Sequence, residues 1–221
     1  MESYHEMAAV GVMVVSGTTY FLLKKKHKTG SLFFKALATF MPALLLLRSY
    51  PSVGAGEIPE MEFLCTLTAV FLYMAADVLL ECRFIAGVVC FDMGHIFMAA
   101  GLLQYASASP VWCLVWAVLF LAAACAALHR YFHRLRAKKL LYPGAAYVTV
   151  LSVMASFAVA GGLNSGETSG LIPALGGVCF VVSDILLAVN RIGRKRSKAR
   201  GAAVLILYYL SVYLLAMRVW N

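Results

Sequence analysis

Asp77 and Asp184 sit in two matching stretches, YMAADVLLE (Tyr73–Glu81) and FVVSDILLA (Phe180–Ala188). In each, an aromatic residue stands four before the aspartate, a β-branched residue follows it, and two leucines come next. Both runs are otherwise almost wholly apolar. An ionised carboxylate in lipid costs roughly 2.5–3.5 kcal/mol even on a lenient insertion scale, so a chain rarely keeps two without a use. If the two carboxyls lie close together in a low-dielectric pocket, they do not easily ionise together. One stays protonated and serves as a general acid; the other stays charged and orients water or stabilises a cation. That equipment suits cleavage through an oxocarbenium-like state, as in glycosidic chemistry, and equally the hydrolysis of a vinyl ether.

Other polar side chains gather around the same depth. Lys35 and Tyr147 stand about one turn inside their apolar runs, roughly 6 Å from the end, and Asp77 at about 5 Å. Asp184 follows at roughly 9 Å, Asp92 and Tyr209 at about 12 Å, and His95 near the midplane. Asp92 and His95 are one helical turn apart on one face, which leaves open both a self-satisfied pair and a functional one. Tyr208 and Tyr209 lie deeper than an interfacial tyrosine belt. Arg48, at an end, is a headgroup-snorkelling residue. Unrelated structural pairs would scatter in depth, whereas a cavity open to one face of the membrane would collect polar groups in one half of the bilayer, as here.

Several chemistries are excluded. Of five histidines only His95 lies in an apolar run, so a His-rich zinc site lacks ligands. Neither a GxSxG elbow nor an HExxH pair occurs. The run GGLNSGETSG (Gly161–Gly170) has loop character rather than that of a phosphate cradle. No metal or cofactor is expected. The six cysteines lie in or beside apolar runs, so no disulfide framework is indicated.

The elements that must position these groups are membrane spans. The chain is 62% hydrophobic and 13% charged, against roughly half apolar and a quarter charged in a soluble domain. Eight spans, about 7–23, 31–49, 61–80, 84–105, 111–128, 143–162, 171–190 and 201–219, each approach the ~20 residues needed to cross the hydrocarbon. Their composition lacks barrel alternation, so the expected fold is all-α and integral to the membrane, with residues 1–221 forming one eight-span domain. Pro42 is expected to kink the second span. The net charge of +9 does not indicate nucleic acid, because the basic residues form short runs between spans. Sixteen of the nineteen lysines and arginines fall in the loops after spans 1, 3, 5 and 7, while Glu2, Glu6, Glu57, Glu60, Glu62 and Glu167 fall on the other side. The positive-inside rule then places both termini outside the cytoplasm and the polar cluster in the cytoplasmic half. The acidic flank MESYHE makes the first span a poor cleavable signal. Spans 3 and 7 cross in the same direction, and their echo suggests two four-helix parallel repeats that would set Asp77 opposite Asp184.

These patches resemble the lysoplasmalogenase family, multi-span membrane proteins of the YhhN type. The similarity rests on AADVLL around Asp77, FDMGH (Phe91–His95), FVVSDILLAVN (Phe180–Asn190), Phe34–Lys35 and Tyr208–Tyr209. The resemblance implies hydrolysis of the vinyl ether of lysoplasmalogens to a fatty aldehyde and a glycerophospho-choline or -ethanolamine. It implies Asp77 and Asp184 as the catalytic pair, with Lys35, His95, Tyr147 and Tyr209 in the pocket. Asp92, and Asn190 at the end of the Ser-Asp run, join them as substrate-binding candidates. Lys35 and the nearby loop cations are expected to meet the lipid phosphate. The expected partners are a lysophospholipid substrate and membrane lipids, in the endoplasmic reticulum if the cell is eukaryotic. Ala76, Asp92 and Tyr213 stand where the family pattern has Gly, an apolar residue and Gln; these departures bear on headgroup or chain preference more than on the chemistry. A proton-coupled transporter or lipid translocator would use the same buried carboxyls, but would need a polar path to both faces. A lipid sensor without turnover is the third reading.

Overall fold

A computed structural model describes residues 2–105, 108–166, 168–193 and 196–220. Glu167, Arg194 and Lys195, counted above among the loop charges, lie outside the described residues. No strand occurs among the described residues, and eight of their helices are long and apolar enough to cross a membrane. The chain is an all-helical, multi-pass membrane protein. Hydrocarbon offers backbone amides no partner, so each crossing must satisfy its own hydrogen bonds, and a helix does so within one segment.

The chain forms two compact units, Met1–Gly101 with Val219–Asn221, and Leu102–Arg218. In the first, α1 (Glu2–Leu23) packs on α2 (Lys28–Arg48), and α2 packs on α4 (Glu60–Cys82). A one-turn helix, α3 (Tyr50–Gly54), precedes an exposed connection to α4. Pro42 is buried, and α2 runs through it without interruption. Glu60 and Glu62 open α4 and Arg48 closes α2, charges that complement the helix dipoles. Only Arg83 separates α4 from α5 (Phe84–Tyr105). That corner is tight: a Cβ on Gly87 would lie 2.5 Å from the backbone nitrogen of Leu80. The Trp220 indole N–H donates to Glu6 Oε1 at 3.0 Å, which ties Trp220 to the first unit.

The second unit holds α6 (Pro110–Leu128), the short α7 (Phe132–Ala137), α8 (Leu141–Asn164), α9 (Leu171–Ile192) and α10 (Lys198–Met217). α9 lies against α8, α10 and α6. In lipid, apolar surface gains little by meeting apolar surface, so helices associate through close packing of small residues. α9 buries Pro173, Ala174, Gly176 and Gly177 for this purpose. A Cβ on Gly177 would meet that of Ala158 at 3.0 Å, and one on Gly162 would run into the Gly170 carbonyl oxygen. By contrast, α6 turns most of its valines, leucines and tryptophans outward, as a lipid-facing helix does. Ser197 caps α10, its hydroxyl accepting from the backbone N–H of Arg200 at 3.4 Å.

Candidate active site

Asp77 is 2% exposed and Lys35 6% exposed, and together they form a buried ion pair. Lys35 Nζ lies 3.1 Å from Asp77 Oδ1 and also donates to the Asp77 backbone carbonyl at 3.1 Å. Thr39, one turn further along α2 on the same face, donates its hydroxyl to Asp77 Oδ2 at 2.5 Å. Both carboxylate oxygens are therefore engaged by α2. This cluster sits toward the end of α4 that leads into Arg83, the end of the unit with the lysine-rich α1–α2 connection.

Asp184 is half-buried on α9. The hydroxyl of Tyr147, on α8, donates a hydrogen bond to Asp184 Oδ2. One residue earlier, the Ser183 hydroxyl donates to the Val204 carbonyl of α10 at 3.1 Å and fixes the rotation of α9. Phe180, four residues before Asp184, meets the Tyr208 ring edge-on with centroids 5.6 Å apart. Tyr208 in turn lies against Tyr209 at 5.3 Å, and both tyrosines are buried. Asp77 belongs to one unit with Lys35 and Thr39, and Asp184 to the other with Tyr147.

The Asp92–His95 pair left open by the sequence does not form. His95 is fully buried, and its Nδ1 is 2.9 Å from the hydroxyl of Tyr73, the aromatic residue four before Asp77. Phe91 packs on the Tyr73 ring at 5.5 Å. Gly94 leaves room for it, since a Cβ there would fall 2.6 Å from the ring. The residues of FDMGH thus clasp Tyr73. Asp92 is half-buried and makes no hydrogen bond or ion pair among the described residues, although its Oδ1 is shielded. Asn190 accepts from the Ser197 backbone N–H at 2.8 Å, which ties the last turn of α9 to the cap of α10. Lys35 is engaged by Asp77 rather than standing free for a phosphate.

Residues 30–219 match the model of the YhhN family. The chain belongs to the YhhN family. This family contains lysoplasmalogenases, and the match takes in every residue of the two aspartate clusters. None of the curated proteins and none of the solved structures matches the chain.

Sequence reasoning passed over Thr39, Tyr73 as the partner of His95, and Tyr20, whose hydroxyl donates to Glu81 Oε1 at 3.1 Å. Thr39 could have been found from its spacing of four from Lys35. Tyr73 carried a signal in the repeated aromatic four before each aspartate. Nothing in the sequence pairs Tyr20 with Glu81, because their helices are joined only by the fold. No group of three metal-ligating side chains occurs among the described residues.

Proposed function

We propose that this YhhN protein is a membrane lysoplasmalogenase that hydrolyses the vinyl ether of lysoplasmalogens, with Asp184 as proton donor and Asp77 as the anion. The observation that carries this reading is the buried Asp77–Lys35–Thr39 cluster in a chain of this family. A carboxylate paired with an ammonium and a hydroxyl is kept for its charge, which leaves the donor role to Asp184.

Asp184 gives its proton to the outer carbon of the vinyl ether, and an oxocarbenium ion forms. Water adds to the carbon that bears the oxygen while its proton passes to Asp77. The resulting hemiacetal breaks at the bond to the glycerol oxygen. Asp77 returns a proton to that oxygen, and the hemiacetal hydroxyl gives its own to Asp184. A fatty aldehyde and a glycerophospho-alcohol leave, and both aspartates regain their starting states.

Purified protein in detergent should release aldehyde from a 1-alkenyl lysophosphoethanolamine. General acid–base groups contribute about 10²–10⁴-fold to rates, so Asp77→Asn and Asp184→Asn should each lose activity on that scale. Full activity in both variants would end the proposal. Lipid flux into vesicles without product formation would point instead to a translocator.

A further inference from the structure

The end of the first unit that carries Lys24, Lys25 and Lys26 also carries, beyond the buried Asp77, the carboxylate of Glu81. Glu81 lies one turn beyond Asp77 on α4, about 6 Å along the helix axis. With Arg83 two residues on and the lysines at the same end of the unit, a half-buried glutamate would be expected to find a lysine or arginine. It does not: among the described residues its partner is the hydroxyl of the buried Tyr20, which donates to Oε1 at 3.1 Å. Lys24 approaches the rings of Phe21 and Tyr20 instead, with centroids 4.6 and 5.6 Å from its Nζ. Lys35 lies 5.6 Å from the Tyr20 ring and takes Asp77 as its anion. Tyr20 thus meets Lys24 and Lys35 with its ring and Glu81 with its hydroxyl, fixes one carboxylate oxygen, and leaves Oε2 without a partner among the described residues.

We propose that Glu81, held by Tyr20, binds the headgroup ammonium of the lipid substrate, with the phosphate falling to the neighbouring lysines Lys24–Lys26. The proposal rests on the lysoplasmalogenase reading and adds a specificity site to it. The order along α4 follows that of the lipid. In such a lipid, glycerol and phosphate separate the vinyl ether from the amine, and on α4 one helical turn separates Asp77 from Glu81. A primary ammonium offers N–H donors to Oε2 and forms a charge-assisted hydrogen bond; a quaternary one meets it by contact alone. Ethanolamine therefore gains more from Glu81 than choline does.

The test uses full-length protein in phospholipid-free detergent and three 1-alkenyl lysolipids whose headgroups are phosphoethanolamine, phosphocholine and bare phosphate. Glu81→Gln keeps an oxygen for Tyr20 and removes only the charge. It should raise KM about tenfold for the ethanolamine lipid, less for choline, and within about twofold for the phosphate, with kcat nearly unchanged. Glu81→Asp should recover part of the discrimination. Equal changes with all three headgroups, or none, would overturn the proposal. So would an effect that appears only in nanodiscs containing phosphatidylethanolamine, since the amine recognised would then be the bilayer's. Binding of the three unreactive 1-alkyl ether analogues is measured alongside. If wild-type protein releases no aldehyde from any substrate, the enzymatic reading fails; loss of ethanolamine-selective binding in Glu81→Gln would still support the headgroup site, and unchanged binding would refute it.

Discussion

Lys35 decides how Asp77 can exist inside the bundle. A carboxylate this deeply buried keeps its charge only against a cation and hydrogen-bond donors, and α2 supplies both from positions 35 and 39. Removing one partner leaves the other buried and unpaired. Lys35→Met should therefore lower stability by about 3–5 kcal/mol, read as a fall in the thermal unfolding temperature in detergent. Adding Asp77→Asn to Lys35→Met should restore much of that loss without restoring hydrolysis. A double variant no more stable than Lys35→Met would argue against the ion pair. At this scale the sequence was half legible. The depth of Lys35, Asp77, Tyr147 and Asp184 marked them as a set, and the structure gives each aspartate a partner from that set. Which polar residue would meet which was hidden, because Asp92 beside His95 and Tyr73 beside His95 look equally good along the chain.

The same contact pattern occurs within each unit at the level of helices. The third spanning helix turns its aspartate toward the second, Asp77 to Lys35 and Asp184 to Tyr147. It turns the aromatic residue four earlier toward the fourth, Tyr73 to His95 and Phe180 to Tyr208. Parallel repeats are thus a proposal with a physical motive: superposing the two halves should overlay α1, α2, α4 and α5 on α6, α8, α9 and α10 with Asp77 on Asp184. Failure of that overlay would leave the likeness local. Packing between helices gives a graded test. Gly162→Ala places a methyl against the unyielding Gly170 carbonyl, whereas Gly177→Ala presses on the Ala158 methyl at 3.0 Å. Overpacking costs about 1–3 kcal/mol or more, so Gly162→Ala should lower the unfolding temperature further than Gly177→Ala. Gly144→Ala meets nothing within 4 Å and should be tolerated. The sequence announced these helices plainly through their apolar length. It did not announce their neighbours, since side chains such as Leu and Val suit a lipid contact and a protein contact alike.

For the whole molecule, the distribution of charge is the main guide to orientation. The positive-inside count predicts that the loop around Arg83 faces the cytoplasm. Cys82 is exposed beside it and unpaired. In sealed vesicles of known sidedness, a variant retaining Cys82 alone should react with a membrane-impermeant maleimide only when the cytoplasmic face is outward. Reaction from the opposite face would invert the topology. Span number and class were readable because the bilayer imposes length and hydrophobicity on every crossing. The division near the end of α5 was not readable from composition, which hardly changes there.

The joint between α4 and α5 is a single residue, Arg83, and it bears on how the protein can be handled. Inserting even one amino acid there would turn α5 by about 100° against its neighbour, pulling His95 off Tyr73 and loosening the helix that presents Asp77. An affinity tag or fluorescent reporter is better accommodated at Gly56–Glu57, where the connection is exposed and Gly56 already takes a left-handed turn.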